Sequence, residues 1–563
     1  MNARTTWDEA VDVLVVGSGA GALTAALATA TRHAQTLVIE KSESWGGTSA
    51  TSGGGIWIPN SHLAQAAGAH DTPEEAFTYV RSLAAPNVPD SLIKAYIKTA
   101  PEMLAWLEQT SPVRYLSIPY TDYHAEMPGG KLGFRAHLPT PLDGKLLGDD
   151  ILTLRPVHPV ASLFGRINWN LAEVQPLVFR PKGWTSILAA MLWRYYSDVG
   201  QRLRSATDRY LTQGNSLVGG IRIALNKLNV PVRLNTRLLE LVREDGRVVG
   251  AVVEQEGRRV RIAARKGIIL GAGGFERNAQ LRKQHLGNEE PHKSGSQTNN
   301  TGDALQAAMA IGGATRNLNQ AWWAPVFCVP GEERARPSFM ERALPGCIIV
   351  NQAGRRYLNE AASYHIVGHE MVLKNTREAG TDPSYVIFDA AFRRKYPMGP
   401  VLPLIPDWAQ AAGVRETLRK ADSIEALAAK VGLPPAALKA TIVKFNADAA
   451  RGEDSEFRRG AAAYDQFYGD QRVQPNPNVA PLTKPPFYAL PIYGGDIGTS
   501  GGLVTDENAR VLDAESRPIG GLYAIGNTAA SSMGGSYPGA GVTIGPAMTF
   551  GYAAARHATG ANA

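Results

Sequence analysis

Cysteine is nearly absent. The 563-residue chain holds only Cys328 and Cys347. Two thiols in so long a chain argue against a disulfide framework or a cysteine-ligated metal, so both are expected in the core of a protein from a reducing compartment. No apolar run approaches the roughly 20 residues that cross a bilayer as a helix. Met1 to Glu9 is polar and leads at once into a strand, so no secretory leader is expected and the cytoplasm is the expected location. There is no internal repeat and no low-complexity run. An excess of one charge is also lacking: 58 Lys and Arg stand against 51 Asp and Glu, a net +7. Without a recognised binding motif that excess does not argue for a nucleic-acid partner. What is left is 44% apolar and 19% charged, an ordinary globular composition in a chain long enough for two domains.

The small positive excess is concentrated. Between Ile151 and Tyr210 there are eight Arg and Lys and three acids, with Trp169, Trp184, Trp193 and the apolar run Ile187–Leu192 among them. Such a segment suits the surface of an anionic membrane. It equally suits a helical excursion packed on the body or on a second subunit.

The most informative stretch opens the chain. The apolar strand Val11–Val16 runs into Gly17-Ser18-Gly19-Ala20-Gly21-Ala22, and a second apolar strand, Thr36–Ile39, ends at Glu40. This strand, G-x-G-x-x-A turn, helix, strand and acid form a site for an ADP-ribose. Gly17 permits the tight turn, Gly19 lets backbone N–H groups approach the pyrophosphate, and Ala22 lets the helix lie close on the strand. The helix N-terminus faces the phosphates, and Glu40 accepts from the ribose hydroxyls. Next come Gly46-Gly47-Thr48-Ser49 and Ser52-Gly53-Gly54-Gly55, where bare backbone can lie against a flat ring. That second glycine-rich stretch favours FAD over NAD. The expected contacts are Gly17, Gly19, Ala20, Gly21, Ala22, Glu40, Lys41, Gly47, Thr48, Ser49, Ser52, Gly53 and Gly54. Ala272, Gly273 and Gly274, ending the strand Lys266–Leu270, are added, as are Gly526 and Asn527 after the strand Gly521–Ile525.

The texture changes near Ala321 to irregular strands rich in aromatics and proline, and returns to strand-then-glycine after Asp496. The predicted fold is α/β, a Rossmann-like FAD-binding domain with an inserted α+β catalytic domain capping the substrate. Residues 1–320 and 497–563 would form the first domain and 321–496 the second.

These pieces in this order resemble the flavoproteins of the fumarate reductase and 3-ketosteroid dehydrogenase superfamily over nearly the whole chain. The motifs Ser52–Pro59, Arg356–Tyr364, Gly526–Ser531 and Ser536–Gly541 are most similar to the 3-ketosteroid Δ1-dehydrogenases. The resemblance implies FAD-dependent 1,2-dehydrogenation of a 3-ketosteroid: a hydride leaves C1 for flavin N5 and a proton leaves C2 for a tyrosine. It implies Tyr364 as the base, Tyr123 as its partner with Tyr120 as a rival, and Tyr537 with the Gly541 N–H as donors to the ketone. A side chain at 541 is expected to crowd ring A. A depressed Tyr364 pKa would need a hydrogen bond from Tyr123 or a nearby cation. A Δ4-(5α)-dehydrogenase and a fumarate reductase-like enzyme remain the alternatives. No second nucleotide site stands out in the sequence, so a quinone or a dye-like artificial acceptor is the expected electron acceptor. His365 and His369 stand at i, i+4, but with no third ligand no metal is expected, and a surface or supporting role suits them better. Trp322-Trp323 fits either the steroid pocket or a core.

Overall fold

The computed structural model describes residues 6–377 and 379–560. Its first strand, β1 (Glu9–Val16), is apolar at nearly every position because both faces are covered, as parallel strands require. β1 pairs in parallel with β2 (Thr36–Ile39) on one side, Val13 opposite Thr36, and with strand Arg258–Leu270 on the other, Val16 opposite Leu270. Val232–Arg233 extends the parallel set beyond β2, and Pro518–Ala524 joins it beside Ile268–Leu270. The last strand of the sheet thus comes from the C-terminal end, and an antiparallel hairpin (Thr236–Glu244, Arg247–Gln255) leans on its flank.

Helix α1 (Ala20–Ala30) follows β1 and is almost wholly buried, rich in Ala and Gly rather than amphipathic. Small residues let it touch two neighbours. A Cβ at Gly21 would lie 2.7 Å from the carbonyl of Ala547 in the final helix, Ile544–Ala558, and a Cβ at Gly271 would lie 3.0 Å from that of Ala22. Gly17 bends the chain between β1 and α1 at φ +102°, where a Cβ would lie 2.4 Å from the Gly271 carbonyl.

A second, antiparallel sheet orders Arg336–Pro337, Ala321–Phe327, Phe487–Thr499, Ser384–Asp389 and Cys347–Val350. Ala321 pairs with Thr499 where this unit meets the first. Its core is separate, built on Phe327, Ile349, Phe388 and Leu490. Cys347 belongs to it, and Cys328 is half-buried; both are free thiols.

The basic excursion folds into helices Leu171–Phe179, Trp184–Ser197 and Val199–Arg202 behind a short hairpin. It buries Ile167, Met191 and Tyr195 as a core of its own. No helix among the described residues is long and apolar enough to cross a membrane.

Candidate active site

One cavity of about 500 Å³ runs from the β1–α1 turn to a cluster of tyrosines. Seventeen of the eighteen expected cofactor contacts, from Gly17 to Asn527, lie along it. Gly274 does not. It faces inward, where a Cβ would lie 2.0 Å from Thr499 Oγ1 and 2.5 Å from Glu276 Oε2, so its glycine serves packing between the two sheets.

Several local bonds shape the nucleotide end. Ser18 Oγ donates to Glu40 Oε2 at 2.6 Å and Ser42 N–H donates to Oε1 at 3.0 Å, which holds the carboxylate at the tip of β2. Each oxygen keeps a lone pair for a further donor. The Ala20 N–H donates to Ser49 Oγ at 3.0 Å, tying the helix start to the Gly47–Thr51 turn. Lys41 lines the cavity, but its ammonium is engaged by Thr301 at 2.6 Å and Asp303 at 2.9 Å.

At the other end three phenols meet. Ring centroids are 5.2 Å apart for Tyr364 and Tyr537, 5.3 Å for Tyr123 and Tyr537, and 5.6 Å for Tyr123 and Tyr364. Each comes from a different segment. Tyr364 starts the helix Tyr364–Leu373 behind the capping residue Ser363. Tyr123 lies in a loop anchored by buried Asp122, which accepts from Trp57 Nε1, Arg135 and the Lys131 N–H. Burial lifts that carboxyl to about 6 against the pull of Arg135. The carbonyl of Pro538 accepts from the Tyr123 N–H at 2.9 Å and from the Tyr79 hydroxyl at 2.7 Å, so the Tyr123 and Tyr537 segments are stitched together. Tyr120 also lines the cavity, but its hydroxyl pairs with that of Tyr468, away from Tyr364.

Gly541 sits below Tyr537 at φ +98°, a left-handed conformation. A Cβ there would lie 2.5 Å from the N and Cα of Ile56. The glycine is therefore demanded by backbone against backbone, and the crowding of a substrate ring is not the reason for it.

Burial dominates the electrostatics. It raises the Tyr364 phenol well above its ordinary value, Tyr537 adds to the rise, and Tyr123 pulls the other way. Tyr123 is raised likewise, and Tyr537 is pushed up to about 12. The cation that could have lowered Tyr364 is not there: no arginine lines the cavity among the described residues, and its one lysine is at the nucleotide end.

Some supporting residues carry no sequence motif. Tyr464 is buried with its ring 4.7 Å from that of Tyr123, and Phe339 lies 4.9 Å from Tyr364. His365 is buried rather than at the surface, 5.5 Å from the Tyr537 ring. Its Nε2 is 2.9 Å from the Gly535 carbonyl, so Nε2 carries the proton, and burial drops its pKa to about 3, keeping it neutral. The two tryptophans divide the two readings: Trp322 lines the cavity and donates to Asn527 Oδ1 at 3.0 Å, while Trp323 fills a core. No metal-binding cluster occurs among the described residues.

The family described as FAD binding domain matches residues 12–544. A 3-oxosteroid 1-dehydrogenase of Mycobacterium tuberculosis is 39% identical, across 97% of this chain and 98% of its own. The chain belongs to the FAD-binding family that includes the 3-oxosteroid 1-dehydrogenases. A crystal structure of 3-ketosteroid delta1-dehydrogenase from Sterolibacterium denitrificans, in complex with 1,4-androstadiene-3,17-dione, is similar to this flavoprotein. It is 42% identical with a TM-score of 0.94, and the match covers 98% of this chain and 100% of that one. A 4-oxocyclohex-2-ene-1-carboxylate 5-dehydrogenase of Sinomonas cyclohexanicum is 36% identical over 97% of this chain and 93% of its own. The residues present fit FAD. The only atom within 4 Å of a Cβ built on Gly19 is Ser49 Oγ, at 3.4 Å, and a Cβ on Gly53 would meet nothing, so bare backbone faces the cavity where a dinucleotide must lie close.

Proposed function

We propose that this flavoprotein removes a hydrogen from C1 and another from C2 of a 3-ketosteroid, leaving a C1=C2 double bond. The observation that carries the reading is the set of three phenols on the same cavity as the dinucleotide turn, with no arginine beside them. A dicarboxylate enzyme on this scaffold would clamp its substrate with arginines. Neutral donors around an apolar cavity suit a ketone on a hydrocarbon skeleton.

FAD, held along Gly17–Ala22, Glu40 and Gly47–Gly53, supplies the acceptor for the hydride that leaves C1. Tyr537 O–H and the Gly541 N–H donate to the C3 oxygen. Negative charge gathers on that oxygen as the C2 proton departs, and donors already in place in a dry cavity stabilise it far more than water would. Tyr364 takes the C2 proton. Tyr123, edge-on to Tyr364 and stacked on Tyr537, steadies the base in its ionised form. The relatives named 3-oxosteroid 1-dehydrogenase support this reading. The test is anaerobic addition of 4-androstene-3,17-dione to the yellow protein, which should bleach the flavin and give the 1,4-diene. An unchanged spectrum refutes the reading. Bleaching only by 5α-androstane-3,17-dione, with a 4-ene product, turns it into a Δ4-(5α) activity.

We also propose that the excursion rests on an anionic membrane surface. Trp193, Tyr196, Val199 and Leu203 are 76%, 63%, 59% and 84% exposed, along the helices that bury Met191 and Tyr195. Lys182 and Arg204 are exposed beside them. Trp169, Leu171 and Val174 of the same segment line the cavity, so lipid and substrate site would share one wall. A quinone dissolved in that lipid is the proposed electron acceptor. Flotation with vesicles containing phosphatidylglycerol, lost in Trp193→Glu/Leu203→Glu and absent with pure phosphatidylcholine, supports this placement. Absence of flotation with either vesicle defeats it.

A further inference from the structure

Arg342 is a buried cation of an unusual kind. It is 1% exposed, yet it forms no ion pair with a carboxylate among the described residues. The neighbouring buried arginines each keep a carboxylate: Arg356 is paired with Glu360 and Asp454, and Arg459, which also donates to the carbonyls of Arg342, Leu344 and Cys347, contacts Glu360 at 3.4 Å. Those two neutralise carboxylates and serve the fold.

Arg342 spends its guanidinium on backbone carbonyls. Nη1 donates to Glu360 O and to Ala362 O at 2.6 Å, and Nη2 donates to Phe339 O at 3.2 Å. The first two carbonyls belong to the turn immediately before Tyr364. The third belongs to the residue whose ring lies 4.9 Å from that of Tyr364. One planar head therefore fixes the approach to the tyrosine and the wall against it. The same charge falls on Tyr464, whose buried hydroxyl faces Tyr123 and whose ring packs on it. Glu341 and Asp465 act on it only from a distance; burying a guanidinium with no direct ion pair costs folding free energy, and a purely structural brace could have been built without one.

We propose that Arg342 is a positioning residue for the base, holding Tyr364 at the reacting carbon through the Glu360, Ala362 and Phe339 carbonyls. This rests on the ketosteroid reading above. The ketone donors lie on a different segment, to which Arg342 makes no hydrogen bond: its Pro538 carbonyl accepts from Tyr79 and Tyr123, and only its Gly535 carbonyl reaches the Tyr364 helix, through His365. Loss of the guanidinium should therefore lower turnover far more than substrate affinity.

The experiment compares Arg342→Met and Arg342→Lys with the wild-type holoenzyme. It measures FAD content, the Kd of 1,4-androstadiene-3,17-dione from the flavin spectrum, kcat and KM. Arg342→Met should keep FAD and hold Kd within about 3-fold while kcat falls about 100-fold, the scale for a reacting group misplaced by an ångström. Arg342→Lys keeps the charge but not the fork, so its kcat should fall between the two. A kcat within about 3-fold of wild type in either variant overturns the proposal. So does a parallel loss of FAD, Kd and kcat, which would mark a plain structural brace. If Arg342→Met does not fold, Arg342→Lys decides: reduced kcat at unchanged Kd supports positioning, and unchanged kcat defeats it. A wild-type protein inert toward ring-A ketones, or a fully active Tyr364→Phe, would instead defeat the reading of the reaction.

Discussion

Replacing Tyr537 by Phe removes one oxygen and leaves the ring. The ring's neighbours are Tyr123 at 5.3 Å, Tyr364 at 5.2 Å, Trp322 at 5.4 Å and His365 at 5.5 Å, and Phe keeps each of these contacts. The phenol's own partners are Tyr364 and Thr543, but the loop's backbone bonds do not use it: Pro538 O still accepts from Tyr123 and Tyr79, and Gly535 O from His365. Fold and FAD should survive. With its pKa pushed up to about 12 by burial, Tyr537 stays a neutral donor at every pH at which the protein would be assayed. Its loss removes one of two donors to the C3 oxygen, an effect of about 3–4 kcal/mol where such donors have been removed from other enzymes. At about 1.4 kcal/mol per decade that is a fall of about 100- to 1,000-fold in kcat/KM. Part of it should appear as weaker steroid binding, because the ground-state ketone is also hydrogen-bonded. The assay is steady-state reduction of a dye acceptor with 4-androstene-3,17-dione, beside a titration of the flavin spectrum with the 1,4-diene product. A kcat/KM within about threefold of wild type, with FAD retained, would refute the assignment of Tyr537.

Tyr364→Phe should retain FAD and product affinity while kcat falls about 100- to 10,000-fold, the span of general-base contributions; rapid-quench product analysis checks it, and near-normal turnover removes the base. Burial raises the Tyr364 phenol well above its ordinary value, so the ionised fraction at neutral pH is small and grows about tenfold per pH unit. In wild type, log kcat should therefore rise with pH at a slope near one, with no plateau below about pH 10; a flat profile from pH 7 to 9 contradicts a phenolate base. Gly541→Ala should lose flavin, steroid binding or solubility altogether, since its Cβ would press on Ile56 backbone at 2.5 Å at a positive φ; recovery of a holoenzyme with normal Kd would contradict that packing. Gly17→Ala, with a Cβ 2.4 Å from the Gly271 carbonyl, should abolish FAD retention, whereas Gly53→Ala, whose Cβ would meet no protein atom, should still fold. Thermal melts and absorbance at 450 nm distinguish the two.

The nucleotide end was legible because its determinants are local. The turn, the helix start and Glu40 lie within 24 residues, and their spacing alone encodes a pyrophosphate cradle. The tyrosine cluster is a different case. Tyr123, Tyr364 and Tyr537 are brought together by Pro538 O, the Asp122 anchor and the Arg342 fork, none of which has a spacing to be read. They were nameable only through motifs shared with a family. Tyr464 and Arg342 were missed because one sits in a short helix and the other in a single turn, without periodicity or motif. Gly541 and Gly274 show a related limit: a sequence marks where a side chain is forbidden, but not whether a ligand or the protein's own backbone forbids it. The excursion suited a membrane surface as well as packing on the body or a second subunit, and nothing in its composition says that Trp169 and Leu171 would turn inward to the cavity.

The absence of a cation beside Tyr364 bears on how such a site could work at all. An arginine near the base would lower its pKa and raise the phenolate fraction. In the same cavity it would also attract carboxylates and hold water, which weakens every donor aimed at the ketone. Burying three neutral phenols gives up phenolate population in exchange for a dry oxygen-binding site, and the substrate itself can recover part of the loss. Once a hydrocarbon skeleton fills the cavity and its ketone accepts from Tyr537 and Gly541, the C2 hydrogen becomes more acidic as the enolate oxygen is stabilised. The required match is then between an acidified C–H and a weakly acidic phenol. The nearest buried guanidinium, Arg342, sits one layer back, behind Tyr464 and under the Tyr364 turn, where it holds backbone carbonyls and leaves the cavity wall neutral.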